Sequence, residues 1–489
     1  MRSRSIGTAL VFGGAIAYGV FACAHRTVAV GGSDTAGYAC TARDIAAGTL
    51  VLPVEAPSRL GLDERLTMEF IPLAHELGPK PGTMVPYYPP GFPIHIALAA
   101  TAFGWESAPF LVSPILAVLC LLLVYQLGRE LGLSRPEAAA GALILGAWAV
   151  FVFHAIQPMS DMAATVWATA AVVAGLRARQ TPGWALAAGA AFGLAVLVRP
   201  TNGLLLPALL LALPSTRRAL VLFLSGAAPL AAFYGFWNRA AFGSPFRTGY
   251  THQFQGELAL ENFPLRIRRY GAWLVAELSL VVPLGWLLAV AGVNRHVRRR
   301  DRALLGTWFG AIFGFYCFWG PSDNWTYGRY FLPAAPALVV GLLLAVRGLT
   351  ARLSTPLRAA VASAVVAVVL AVEWRAVRSL GARGGGDRGA EFELGSRAAA
   401  KRAGRRPAIV VSMETSAALR YYTDLMPLRW DRISPEDFAL VRARAGERGV
   451  PVYAFVFDRE IPDALPRVPG SWVLLEKTRT GGLWALPAP

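Results

Sequence analysis

The chain of 489 residues carries a formal net charge of +17, with 55% hydrophobic and only 16% charged residues, and its mean hydropathy is +0.46. A soluble domain averages about 25% charged residues, so this composition excludes a disordered chain and a disulfide-stapled secreted domain, and it argues against an ordinary soluble enzyme. The arginines sit in short clusters between apolar runs and form no single basic face, which excludes a nucleic-acid-binding module and follows the positive-inside pattern of membrane proteins.

Arg2 and Arg4 precede an apolar run over residues 6–24. A basic start and small residues near its end also fit a cleaved signal peptide, but the many later spans favour an uncleaved first helix. A crossing needs about 20 apolar residues. Further candidates cover residues 108–127, 137–153, 162–176, 184–198, 203–213, 220–237, 271–293, 303–318, 330–346 and 357–372. Eleven spans with the N-terminus inside put every short arginine-rich connection on the cytoplasmic side. The external connections then include residues 26–90, 239–270 and 320–328, the first of them long and acidic. The run at 203–213 is short for a crossing, and residues 91–104 read as an interfacial or half-inserted helix. Cys23, Cys40, Cys120 and Cys317 include no CxxC pair, so no disulfide framework or zinc site is implied.

These features divide the chain into a membrane domain, residues 1–375, and a tail, residues 376–489. Residues 381–388 are a glycine-rich linker. After it, strand-like runs at 408–412, 452–457 and 471–476 alternate with helix-like runs at 415–422 and 435–448. Ser434 with Pro435 and Asp437 forms a helix start. The expected fold is therefore an α-helical polytopic membrane body followed by a small extracytoplasmic α/β domain. The tail lacks a phosphate-binding glycine motif or metal spacing, and reads as a packing or acceptor-positioning module.

Candidate chemistry gathers at the external ends of the spans. Asp34 follows the first span, where a carboxylate near an apolar boundary can serve as a general base; a solvated loop acid is the other reading. Tyr87 and Tyr88 precede Pro89 and Pro90, in a stiff extended stretch suited either to an aromatic belt or to stacking on a sugar. Asp161, Arg199, Asp323 and Arg329 stand at other external ends. An arginine beside a span needs a partner or a ligand, and two arginines on one side suit an anionic lipid headgroup, although a single helix-end arginine commonly just snorkels. Glu277 lies inside an apolar run. His252 lies in a turn-rich external segment, where metal or acceptor binding competes with no role at all.

In order along the chain stand Asp34 with Tyr38, Ala42-Arg43, Pro89-Pro90-Gly91, a Pro-x-Ser-Asp stretch ending at Asp161, Leu-Val-Arg-Pro at Arg199 and Gly-Arg-Tyr at Arg329. This order resembles the GT-C glycosyltransferases, in the bacterial integral-membrane branch related to protein O-mannosyltransferases and the lipid A aminoarabinose transferase. The resemblance covers about residues 1–375. It implies a polyprenyl-phosphate sugar donor, an extracytoplasmic glycan, lipid or protein acceptor, and inversion, in the plasma membrane. It further implies Asp34 as the general base, Arg199 and Arg329 as ligands of the donor phosphate, and Tyr38, Tyr87 and Tyr88 as cleft residues, with Arg43, Asp161, His252 and Asp323 near them. Thr35 replaces an acid of the aminoarabinose transferase, and Pro86, Tyr87 and Tyr88 stand where it has another acid, linked there to a metal. No metal ligand is therefore assigned, and a divalent ion stays open. A polysaccharide polymerase or ligase would place its large external loop late in the chain. A transporter or flippase would carry charges near the bilayer midplane.

Overall fold

The computed structural model describes residues 2–251, 257–320, 324–384 and 389–487. The chain forms two compact units, each assembled from three separate stretches: residues 1–26, 110–234 and 252–385 in the first, and residues 27–109, 235–251 and 386–489 in the second.

The first unit is helical. Among the described residues of the chain, four helices are long and apolar enough to cross a bilayer, Ala108–Glu130, Arg217–Phe242, Trp325–Leu349 and Thr355–Ser379. Two bent pairs raise the number to six if each is one span, and shorter apolar helices cover Phe12–His25, Gly91–Phe103, Trp184–Val198 and Pro200–Ala212. The chain is thus a mostly helical, multi-pass membrane protein.

Several expected straight spans are interrupted. Residues 137–153 divide into the helices Arg135–Ala147 and Ala149–Ala155, meeting at 72°, because Trp148 between them is extended, with ψ 129°. Residues 271–293 divide at Ser279, whose φ of 68° lies in a region costing a non-glycine residue about 1–3 kcal/mol. The segments on either side meet at 108°. Hydropathy is continuous through both breaks, so periodicity alone cannot reveal them. The run at 203–213 resolves into a 3-10 turn, Pro200–Leu205, and a helix of only seven residues, Leu206–Ala212. The Arg300 guanidinium donates to the carbonyls of Leu210 at 2.9 Å and Leu211 at 2.8 Å, satisfying acceptors that a helix C-terminus leaves open.

The second unit contains the stretch read from sequence as the first external loop. Much of it is regular. Residues Gly32–Ala46 form a helix that buries Ala36, Ala39, Cys40 and Ala42. Strands β1 (Leu52–Pro53), β2 (His75–Leu77) and β3 (Thr83–Pro86) pair antiparallel in the order β1-β3-β2. The Gly91–Phe103 helix, read as interfacial, buries Phe92 and Ile96.

The tail adds a five-stranded sheet of β4 (Ile409–Val411), β5 (Met426–Leu428), β6 (Val452–Phe457), β7 (Val473–Lys477) and β8 (Gly481–Leu486), ordered β5-β4-β6-β8-β7. The β5-β4-β6 pairings are parallel, whereas β8 runs antiparallel to β6 and β7. The Pro435–Glu447 helix starts as its sequence dictates, with Ser434 accepting from the Asp437 N–H. Loop and tail share one hydrophobic core: Leu60, Leu66 and Phe70 pack with Ile409, Val411, Leu428, Phe438 and Val441. Leu73 N–H donates to Ser416 Oγ at 3.0 Å and Arg429 N–H to the Glu69 carbonyl at 2.7 Å, so the backbone polar groups at this junction are satisfied within it.

Candidate active site

Asp34 stands in the first turn of the Gly32–Ala46 helix, where the N–H ends and macrodipole favour a carboxylate. It is half-buried. The Tyr88 hydroxyl donates a hydrogen bond to Asp34 Oδ1 and lies 2.9 Å from Ser33 Oγ. Tyr88 is buried, and that burial, followed by the neighbouring Asp34 carboxylate, pushes its hydroxyl well above the ordinary range. It therefore keeps its proton and remains a donor.

An aromatic group surrounds this pair. The Tyr38 ring lies 4.6 Å from Tyr88 and meets Phe92 edge-on at 5.1 Å. Tyr87 meets Tyr88 and Tyr250 edge-on, both at 5.2 Å. Tyr250 belongs to the turn-rich segment in which sequence reading singled out His252 instead. It reaches Tyr87 because Gly249 lets the backbones approach: a Cβ there would stand 2.1 Å from the Tyr87 carbonyl oxygen. Arg43 is engaged elsewhere. It donates to the Tyr421 carbonyl at 2.6 Å and lies over the Tyr421 ring at 3.8 Å, tying the Gly32–Ala46 helix to the tail. His252 and Asp323 lie outside the described residues.

The first unit holds a second constellation. Asp161, fully buried in the first turn of the Ser160–Ala178 helix, accepts from Arg199 Nη2 at 2.6 Å. Arg199 stands at the junction of the Trp184–Val198 helix and the Pro200–Leu205 turn, and donates through Nη1 to the Arg329 carbonyl at 3.4 Å. The Arg329 guanidinium lies 5.6 Å from the Tyr327 ring and 5.8 Å from Tyr330. Tyr330 in turn stacks on Tyr316 at 4.3 Å, and the Tyr316 hydroxyl lies 2.9 Å from Thr201 Oγ1. Asp161, Arg199 and Arg329, far apart in sequence, are thus brought together, the Arg199 guanidinium bridging the Asp161 carboxylate and the Arg329 main chain.

Sequence reading missed His154. Its Nε2 lies 4.0 Å from Asp161 Oδ2, both side chains are buried, and neither atom has a hydrogen-bond partner among the described residues. Its Nδ1 lies 2.8 Å from the Val150 carbonyl. A histidine inside the apolar run 149–155 was the available signal. Glu373 was also missed: it is fully buried in the Thr355–Ser379 helix, with neither carboxyl oxygen hydrogen-bonded among the described residues. The Glu277 carboxyl accepts from the Trp148 indole at 2.8 Å. The first unit also contains an apolar cavity of about 690 Å³ lined by Tyr18, Phe21, Leu121, Leu143, Trp374 and Val377. No group of three or more His, Cys, Asp or Glu side chains suited to a metal ion occurs among the described residues.

Residues 88–236 match the model of the dolichyl-phosphate-mannose-protein mannosyltransferase family. No curated protein matches the chain in sequence. Among solved structures, ArnT from Cupriavidus metallidurans in the apo state is 15% identical, with a TM-score of 0.61 over 99% of each chain. The same protein bound to undecaprenyl phosphate is 16% identical, with a TM-score of 0.57 over 98% of this chain and 97% of that one. The apo oligosaccharyltransferase of Archaeoglobus fulgidus is 13% identical, with a TM-score of 0.56 over 97% of this chain and 74% of that one. The resemblance to the GT-C superfamily is borne out by a fold shared along the chain and by the family match over residues 88–236.

Proposed function

We propose that this chain is an integral-membrane glycosyltransferase that moves a sugar from a polyprenyl-phosphate carrier to a nucleophile outside the cytoplasm, with inversion at the anomeric carbon. The observation that carries this reading is the Tyr88–Asp34 hydrogen bond within an aromatic group. It occurs in a chain that shares its fold with a structure bound to undecaprenyl phosphate. In this reading Asp34 takes the proton of the acceptor hydroxyl as the acceptor oxygen bonds to the anomeric carbon. The bond from that carbon to the phosphate oxygen breaks, and the phosphate departs on its lipid. The tyrosine rings offer stacking faces for the sugar.

Arg199 and Arg329 hold the donor phosphate in this scheme and stabilise the charge it gains. Asp161 fixes one edge of Arg199, and a guanidinium with five N–H donors has others to spare. An apolar cavity in the same unit suits an isoprenoid tail. The plasma membrane, an external reaction and an acceptor-positioning role for the tail belong to the same proposal. So does the division into residues 1–375 and 376–489.

The test is Asp34→Asn in purified full-length protein, assayed for transfer from a synthetic polyprenyl-phosphate sugar to endogenous envelope acceptors. Loss of a general base lowers turnover by about 10²–10⁴-fold while leaving the melting transition intact. Turnover at the wild-type level would remove Asp34 from the reaction.

A further inference from the structure

The second unit holds a polar cavity of about 360 Å³ at one end of the tail's sheet. Three arginines line it. Arg402 stands near the C-terminus of the Ala390–Ala403 helix, Arg406 just before β4, and Arg442 on the Pro435–Glu447 helix. Gly404, with φ 64°, turns the chain between the first two, a conformation that favours glycine. The Tyr453 hydroxyl donates to the Arg402 carbonyl at 3.4 Å, holding the helix end against β6.

Several nearby arginines are occupied. Arg444 pairs with Glu447 at 2.9 Å, Arg397 pairs with Glu393 at 2.7 Å, and Arg448 donates to the Arg59 carbonyl at 2.7 Å. The three at the cavity differ. None forms an ion pair or donates a side-chain hydrogen bond among the described residues, and the Arg442 Nε is buried without a partner. Three positively charged residues that line one cavity, with no acid in its lining, repel one another, and a bound anion relieves that repulsion. Planar forks suit a tetrahedral oxyanion that accepts several hydrogen bonds at once. The chain around them, Lys401-Arg402-Ala-Gly-Arg405-Arg406, adds field of the same sign.

We propose that Arg402, Arg406 and Arg442 form a binding site for a phosphate-class anion, a site independent of the transfer reaction. Its ligand is either a soluble phosphate group or a phospholipid headgroup, which present the same chemistry to the arginines.

The experiment uses the full chain in nanodiscs of neutral phosphatidylcholine, titrated with inorganic pyrophosphate at constant ionic strength and followed by calorimetry. Saturable binding is expected, weakened at least about tenfold in the Arg402→Gln/Arg442→Gln double variant, since two charge-assisted contacts are lost. Arg406→Gln, which removes only one of the three charges, gives a smaller loss in the same direction and serves should the double variant fail to fold. Native mass spectrometry of the detergent-purified chain with phosphatidylglycerol separates the sources. Lipid retained by wild type and lost from the variant identifies a headgroup, and equal retention identifies a soluble phosphate. Pyrophosphate titrations that coincide for wild type and both variants would overturn the proposal.

Discussion

The indole Nε1 of Trp148 donates to Glu277 Oε2 at 2.8 Å, and each residue stands at an interrupted helix. Trp148 is the extended residue between two helical segments, and Glu277 lies two residues before Ser279, where the second helix turns. One buried hydrogen bond therefore joins two places where main-chain helical pairing is broken. Trp148→Phe keeps most of the ring volume and deletes the donor. Leaving a buried acceptor unsatisfied costs about 1–3 kcal/mol, so a lower melting temperature in detergent is expected. Glu277→Gln retains an acceptor and should melt closer to wild type; equal melting of all three proteins would assign the pair no structural weight.

Tyr88→Phe separates the ring from the hydroxyl. The contact with Tyr38 survives, but Asp34 loses the donor that orients it. Turnover is expected to fall roughly tenfold, the effect of about 1.4 kcal/mol, with a smaller change in the Michaelis constant for the lipid donor. A change confined to donor affinity would place the hydroxyl in binding alone.

Asp161→Asn leaves Arg199, part-buried with its side chain only 13% exposed, without the charge opposite it. Breaking a buried pair from one side costs about 3–5 kcal/mol. Thermal unfolding and donor-binding titrations on the same preparation should both register the loss. Unchanged stability would mean that Arg199 had found another anion.

Gly249→Ala tests the route by which Tyr250 joins the aromatic group. The new methyl would meet the Tyr87 carbonyl oxygen at 2.1 Å, so the segment must move and the Tyr87–Tyr250 contact open. A lowered transfer rate with unchanged far-ultraviolet dichroism is expected. Wild-type turnover would show that Tyr250 is dispensable.

His75 gives an acid-side signature. It is buried, and burial first, then the nearby Arg420 charge, lowers its pKa from the ordinary 6.5 to about 3. Between those values the unfolded chain binds a proton that the folded one refuses. Stability is full above about pH 6.5 and falls on acidification by at most about 1.4 kcal/mol per pH unit. In His75→Gln this part of the acid slope should vanish, as read from chemical denaturation between pH 4 and pH 7 (roughly the window in which the two states differ). An unaltered slope would assign acid sensitivity to other groups; Asp44 is not one of them, because burial raises its pKa against the pull of Arg420, and a carboxyl so raised favours the folded state on acidification.

Local chemistry was the most readable part of the sequence. The start of the Pro435–Glu447 helix is written in Ser434, Pro435 and Asp437, and β6 coincides with an uninterrupted apolar run. Strands β5 and β8 escaped notice, one carrying a central proline and the other opening on two glycines. Asp34 and the three tyrosines near it could be listed from sequence, since each stands beside a proline turn or a span. Their contact with Tyr250, and that of His154 with Asp161, depend on packing between segments distant along the chain. Arg43 illustrates the converse. On the same helix as Asp34, it stacks on Tyr421, a partner that no local pattern could supply.

The core shared by Phe70 and Ile409 has a consequence for biosynthesis. Leu73 and Ser416, hydrogen-bonded in the finished protein, are separated by 343 positions, so the earlier half of this unit leaves the ribosome long before its partner strands exist. It must wait, with Leu60 and Phe70 uncovered, while the intervening helices are inserted. Contacts of such long sequence separation form slowly and leave apolar surface open to aggregation. Truncating the chain before the final sheet should strand that surface permanently and mark the product for proteolysis.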